Sequence, residues 1–238
     1  MSAAEPARPH ALVTGSSSGI GAAVARRLLQ EGWQVHGLDR AAASIQHRHF
    51  LHRQVDLSDF AATDAALSQV LADGPLLACV HAAGVLRTAP LGELRADDGQ
   101  AMWQLHVAAT TQLANTLLPA MARAGAGRLV LVGSRIWRGM PGRSQYAATK
   151  AALVSLARSW AAELAHQGVT VNVVSPAATD TPMLADPARA TSAPQRPPIG
   201  RLIRPAEVAA LVAFLLSADA VAITGQDIAI CGGASLPR

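Results

Sequence analysis

The chain contains one tyrosine and one lysine, and they stand four residues apart in Tyr146-Ala147-Ala148-Thr149-Lys150. The other 19 of its 20 Lys+Arg residues are arginine. A composition that writes arginine wherever a surface cation is wanted has written lysine once, beside its only phenol. On a helix, positions i and i+4 share a face about 5–6 Å apart. A free phenol ionises near pH 10, about three units too high for a base at neutrality. A neighbouring ammonium favours the phenolate and lowers that value. Lysine suits this better than arginine, being a compact charge with three rotatable donors. The spacing predicts an acid/base pair; the alternative is two ordinary surface neighbours.

The elements around this pair follow from local pattern. Ala11 to Thr14 is a short apolar strand that runs into Gly15-Ser16-Ser17-Ser18-Gly19-Ile20-Gly21, and a helix-forming run follows from Ala22 to Gln30. Strand, glycine-rich turn and helix are the setting of a dinucleotide fingerprint. Gly15 suits the tight turn, Gly19 the approach of a pyrophosphate and Gly21 the packing of helix on strand. The helix N-terminus then faces phosphate. The spacing is G-x-x-x-G-x-G rather than G-x-G-x-x-G. Trp33 to Leu38 reads as a second strand ending at Asp39, where an acidic side chain bonds the ribose 2′-OH of NAD and repels the 2′-phosphate of NADP. Arg40 pulls the other way; the expectation is NAD.

Further strands are expected near His49 to Val55, closed by Asp56-Leu57, and at Leu76 to Val80, Leu129 to Val132, Val169 to Val174 and Asp227 to Ile230. Helices are expected at 59–72, Asp98 to Ala122, through Tyr146 to about His166, and Pro205 to Ser217. Strand and helix alternate throughout, so a single domain over 1–238 with a doubly wound, Rossmann-type parallel α/β sheet is the economical fold. Ser134 falls at the carboxyl end of a strand, where ligands bind in such sheets. The Pro- and Ala-rich stretch 182–200 is a candidate substrate loop.

Half of the residues are hydrophobic and only 3% aromatic, so the core must be built from Ala, Val, Leu and Ile. The net charge is +4, but the arginines are scattered and no nucleic-acid motif accompanies them. Cys79 and Cys231 lie in apolar runs without metal-ligand spacing, which predicts buried free thiols and no metal. The first ten residues lack an apolar signal region, and no apolar run approaches a membrane span of about 18 residues. A cytoplasmic protein that binds neither membrane nor nucleic acid is expected.

With these residues in place, the chain resembles the short-chain dehydrogenase/reductase family over nearly its whole length. The resemblance rests on Thr14-Gly15-(x3)-Gly19-Ile20-Gly21, Asp39, Asp56-Leu57, Ser134, Tyr146-(x3)-Lys150, Pro176, Thr181, Gly225 and Gly232-Gly233. It implies a catalytic Ser134, Tyr146 and Lys150. It also implies cofactor contacts from Gly15, Ser17, Ser18, Gly19, Ile20, Asp39, Asp56, Leu57, Ala83, Gly84, Tyr146, Lys150, Pro176, Thr179 and Thr181. Within the family the stretches Ala82 to Arg87, Asn172 to Pro176, Thr179 to Thr181 and Gln226 to Ile228 are most similar to 2,3-dihydro-2,3-dihydroxybenzoate dehydrogenases. Three departures stand out. His81-Ala82-Ala83-Gly84 replaces a motif that usually opens with Asn. His106 aligns with the family's catalytic Asn, which anchors a relay water; a histidine can bond water and titrate near neutrality, or can simply pack. Ser134 precedes Tyr146 by 12 residues, one fewer than usual.

The reaction implied is hydride transfer between a secondary alcohol carbon and nicotinamide. Arg87, Arg135, Arg138 and Arg143 crowd the expected pocket mouth, and arginine binds carboxylate bidentately. The expected substrate is therefore a small acidic molecule, a cyclic hydroxy acid or a dihydrodiol. A 3-oxoacyl carrier-protein ketoreductase and a non-catalytic NAD-binding regulator are the alternatives. The resemblance also implies a homotetramer.

Overall fold

The computed structural model describes residues 8–185 and 195–237. Seven strands form one parallel sheet in the order β3-β2-β1-β4-β5-β6-β7. They are β1 (His10–Thr14), β2 (Gln34–Asp39), β3 (Phe50–Gln54), β4 (Leu76–His81), β5 (Gly127–Val132), β6 (Val169–Pro176) and β7 (Asp227–Ile230). The helices are α1 (Gly19–Gln30), α2 (Phe60–Ala72), α3 (Ala96–Trp103), α4 (Ala109–Arg123), α5 (Ser144–Leu164) and α6 (Pro205–Leu216). The doubly wound Rossmann-type fold expected from the alternation is the fold observed.

A parallel sheet covered on both faces needs strands apolar on both faces, and the sequence supplies them. Along β1, Leu12 points into one core with Cys79, Leu129, Leu131 and Leu153, beneath α4 and α5. Ala11 and Val13 point into the other with Val35, Val80 and Val130, beneath α1 and α6. Few aromatics are needed, because Ala and Val let helices sit close to the strands. Cys79 is wholly buried, and that burial pushes its thiol up to about 12. Cys231, expected to be buried, is only partly so.

The stretch expected as one helix from Asp98 to Ala122 begins at Ala96 and is interrupted by a π turn, Gln104–Ala108, between α3 and α4. Such a turn adds a residue to the helical repeat and is common at functional sites. Of the expected substrate loop, residues 186–194 lie outside the described residues. On either side of them, Pro182–Ala185 forms a 3-10 turn and Thr179 bridges to Ile203. Among the described residues, no helix is long and apolar enough to cross a membrane.

The last strand is secured by a buried amide. Asn172 on β6 donates from Nδ2 to Ile223 O at 2.7 Å and accepts at Oδ1 from the Gln226 N–H at 3.1 Å. Asn172→Ala should strand both backbone groups and lower the unfolding free energy by about 2–4 kcal/mol. Urea denaturation checks this; a loss below about 1 kcal/mol would mean water replaces the amide.

Candidate active site

Strand order reverses between β1 and β4, and at such switch points the connections diverge to leave a crevice at the carboxyl ends of the strands. Two adjoining cavities of about 510 and 450 Å3 occupy it, sharing Ile20, Gly84, Val85, Leu86, Thr181 and Met183. The smaller gathers Gly15, Ser18, Gly19, Asp39, Asp56, Leu57, Ala83 and Arg87. The larger gathers His106, Ser134, Tyr146, Lys150, Pro176 and Thr179, with Arg135 and Arg143. Two expected site residues line neither. Ser17 instead turns its backbone N–H to Asp39. The Arg138 guanidinium lies over the Trp137 ring, 5.0 Å from its centroid. Arg87, expected near the substrate, borders the smaller cavity and pairs with Asp98 at 3.7 Å.

The smaller cavity has the features that the nucleotide half of a dinucleotide cofactor needs. Gly15 has φ +66°, and a Cβ there would lie 2.8 Å from Ala83 N; one on Gly21 would lie 2.1 Å from Gly15 O. At Gly15 and Gly21 no side chain fits without displacing backbone. Ser18 caps α1 without a side-chain bond to its N–H groups, so the first turn of the helix keeps donors for an anion. The Asp39 carboxylate accepts from Ser17 N–H at 2.9 Å and from Ala41 N–H at 2.8 Å. His52 Nε2 donates to Ala41 O at 3.0 Å, and Gln54 Nε2 to Arg40 O at 2.9 Å. This corner is therefore fixed, with a carboxylate at the end of β2 facing the cavity.

In the larger cavity, the start of α5 presents Tyr146 and Lys150 on one face, both buried. Lys150 Nζ donates to Val132 O at 2.9 Å and lies 5.8 Å from the Tyr146 ring centroid. Burial lowers its ammonium from 10.5 to about 7. Ser134, just beyond β5, accepts at Oγ from Ile136 N–H at 3.3 Å. A Cβ on Gly84 would lie 3.1 Å from His106 Nε2 and 3.8 Å from Lys150 Nζ, so the bare glycine keeps the approach to the amine open.

His106 sits in the π turn, fully buried, with its ring edge-on to Tyr146 at 5.6 Å. Val85 N–H donates to its Nε2 at 3.0 Å, which places the ring proton on Nδ1. Nδ1–H then donates to Thr149 Oγ1 at 2.8 Å, and the Thr149 hydroxyl donates to Tyr146 O at 2.8 Å. Burial first, then Lys150 and His81, hold His106 well below its ordinary value. A neutral imidazole with both nitrogens engaged neither titrates near neutrality nor offers a nitrogen to water. His106 braces the Tyr146 turn against the loop at Val85.

His81 is held in the same way. The Thr14 hydroxyl donates to its Nδ1 at 2.9 Å and accepts from Ala82 and Ala83 N–H at 3.1 Å each, while Nε2–H donates to Leu105 O at 3.2 Å. Burial and Lys150 push it down to about 3. Sequence reasoning missed the apolar wall opposite. Leu86, Met102 and Ile136 cluster with Tyr146, joined by Met140. These lie on loops and helix ends, where no periodicity marks them.

A buried lysine destabilises the fold wherever it must carry charge. Its folded value of about 7 lies below the unfolded value of 10.5. The cost is therefore complete below about pH 7 and fades as pH rises toward 10.5. Lys150→Met should raise the melting temperature at pH 6–7 and lose that advantage near about pH 10. Thermal scans across pH check this; a pH-independent difference would contradict it.

The comparisons agree with this geometry. A family model described as enoyl-(acyl carrier protein) reductase matches residues 15–235. A cis-4-hydroxycyclohexanecarboxylate dehydrogenase of Sinomonas cyclohexanicum is 37% identical over 94% of this chain and 95% of its own. The 2,3-dihydro-2,3-dihydroxybenzoate dehydrogenase of Escherichia coli is 35% identical over 94% and 96%. A 3-oxoacyl-[acyl-carrier-protein] reductase of Salmonella typhimurium is 33% identical over 94% and 96%. Among solved structures, a 3-ketoacyl-(acyl-carrier-protein) reductase from Brucella melitensis complexed with NADH superposes with a TM-score of 0.87 at 28% identity, covering 96% of this chain and 98% of that one. An actinorhodin polyketide ketoreductase with NADPH gives 0.89 at 28% identity, covering 97% and 98%. With the glycine turn at the switch point and the Tyr-Lys pair on α5, this chain belongs to the short-chain dehydrogenase/reductase family and is an oxidoreductase acting on an alcohol or its ketone.

Proposed function

We propose that the chain is an NAD-dependent dehydrogenase of a small cyclic hydroxy acid, working in the cytoplasm as a homotetramer. One observation carries the substrate class. The described lining of the larger cavity includes Arg135, Arg143 and Lys150 but no aspartate or glutamate. The rest of that wall is largely apolar, through Leu86, Ile136, Met140 and Met183. An apolar chamber with cations in its wall suits a carbocycle bearing a carboxylate. Two of the relatives named above are called dehydrogenases of such molecules. Asp39 favours NAD, since a 2′-phosphate would face its carboxylate.

In this reading Tyr146 is the general base that takes the hydroxyl proton of the substrate. Lys150 supports the phenolate with its charge and keeps donors for the ribose. Ser134 holds the substrate oxygen. Residues from Gly15 to Gly21, Asp56-Leu57, Ala83-Gly84 and Pro176 to Thr181 would hold the dinucleotide along the crevice. Bound there, the nicotinamide supplies the hydride chemistry. Reduction of a 3-oxoacyl group is the second reading, favoured by the likeness to the Salmonella reductase.

Oxidation of cis-4-hydroxycyclohexanecarboxylate, of cyclohexanol and of a 3-hydroxyacyl thioester, each with NAD and NADP, separates these readings by cofactor absorbance. Faster turnover of the acid with NAD is expected. Preference for the thioester with NADP would overturn the proposal. Tyr146→Phe should lower kcat by about 10²–10⁴-fold without changing the Kd for NADH; full turnover would remove Tyr146 as the base. Arg143→Ala should raise KM for the acid by about tenfold or more and leave cyclohexanol unaffected. Equal changes for both would show that the arginine does not read the carboxylate.

A further inference from the structure

A carboxylate ties the turn that follows Ser134 to the edge strand of the sheet. Asp227 opens β7, where it pairs with Val173 of β6. Its Oδ2 accepts from Trp137 Nε1–H at 2.6 Å, and its Oδ1 accepts from the Ser175 hydroxyl. Trp137 belongs to the 3-10 turn Arg135–Arg138 that Ser134 caps. Ser175 directly precedes Pro176 and abuts Gly133, where a Cβ would lie 2.8 Å from its Oγ. One side chain therefore grips the turn carrying Ser134 and the strand end carrying Pro176. The Arg138 guanidinium covers the outer face of the same indole.

We infer that Trp137 and Asp227 are positioning residues: their bond fixes the Ser134 turn, and with it the wall formed by Arg135, Ile136 and Met140, against the strand end at Pro176. The inference rests on the reading of Ser134 as the hydroxyl that holds the substrate oxygen. The physical need for the tie is local. The turn is short, and it leaves β5 as a 3-10 helix, whose hydrogen bonds are poorer than those of an α-helix. Its internal backbone bonds are Trp137 N–H to Ser134 O at 3.1 Å and Gly139 N–H to Ile136 O at 2.7 Å. Neither anchors it to the sheet, and a further tie, Arg135 Nη1 to Ala234 O at 3.3 Å, reaches the segment beyond β7 rather than a strand. The ionised acceptor anchors it to the sheet through charge-assisted bonds, which are shorter and stronger than neutral ones.

The consequence is a defect in placement rather than in folding or cofactor affinity. Trp137→Phe keeps the ring that Arg138 covers and removes only the N–H. Asp227→Ala removes both bonds. Asp227→Asn can still accept from the indole, and the Ser175 hydroxyl can turn to accept from its amide. With NAD and cis-4-hydroxycyclohexanecarboxylate, W137F and D227A should each lose about tenfold to a hundredfold in kcat, with the Kd for NADH unchanged in W137F, and D227N close to the parent. On a Ser134→Ala background the loss caused by W137F should vanish. If S134A loses activity but W137F costs the same factor on top of it, the tie acts elsewhere and the inference fails alone. If S134A is fully active, the reading of Ser134 fails and the inference with it. A crystal structure of W137F decides independently of any substrate. A displaced Arg135–Arg138 turn is expected, and an unmoved Ser134 Oγ would overturn the inference.

Discussion

The buried amine of Lys150 is the constraint on which the site depends. An ammonium taken out of water is costly unless it is paired or hydrogen-bonded, and this one donates to Val132 O at the end of β5. That bond adds to the packing of Leu153, Val154, Ala157 and Ala161 on the sheet and holds Nζ 5.8 Å from the centroid of the phenol ring. Burial pulls the amine to about 7, so near neutrality it sits between its charged and neutral forms. A phenolate beside it would draw the charge back onto it. Arginine could not take this place, because it stays charged whatever its surroundings.

The two histidines beside the pair are held neutral by their surroundings. Both lie buried, His81 at the end of β4 and His106 within the π turn, and each has both ring nitrogens committed within the protein. Each is held low by burial and by the lysine, so neither competes for the proton. Their bonds run to Thr14 on β1, to Leu105 in the π turn, to Val85 after β4 and, through Thr149, to the backbone of Tyr146. Four segments distant in sequence are thereby held in one arrangement. A pair of amide side chains could make similar bonds; imidazoles do so with a rigid ring whose edges are fixed in angle.

Much of this was legible in the residues. Apolar runs bounded by Gly, Pro and Asp mark the strands, because a doubly covered sheet has no solvent face to encode. The glycine turn and Asp39 are legible because backbone approach and charge each demand one residue type. Tyr146 and Lys150 stand out by being unique. The π turn was not legible, since one inserted residue shifts the apolar repeat by a single position, which lies within the scatter of an ordinary helical pattern. The state of His106 was hidden as well. Its partners Val85 and Thr149 lie 21 and 43 residues away, and only they decide whether the ring bonds protein or water. The arginines show the same limit. Arg135 and Arg143 line the larger cavity, while Arg138 turns onto Trp137, and spacing along an irregular loop fixes no direction.

Because the chain has one tyrosine, its phenolate can be followed alone by near-ultraviolet absorbance in a pH titration of the folded protein with NAD bound. A midpoint well below the ordinary value of about 10 is expected, moving up when Lys150 is replaced by Met. A midpoint at or above about 10, unmoved by that replacement, would contradict the coupling of phenol and amine.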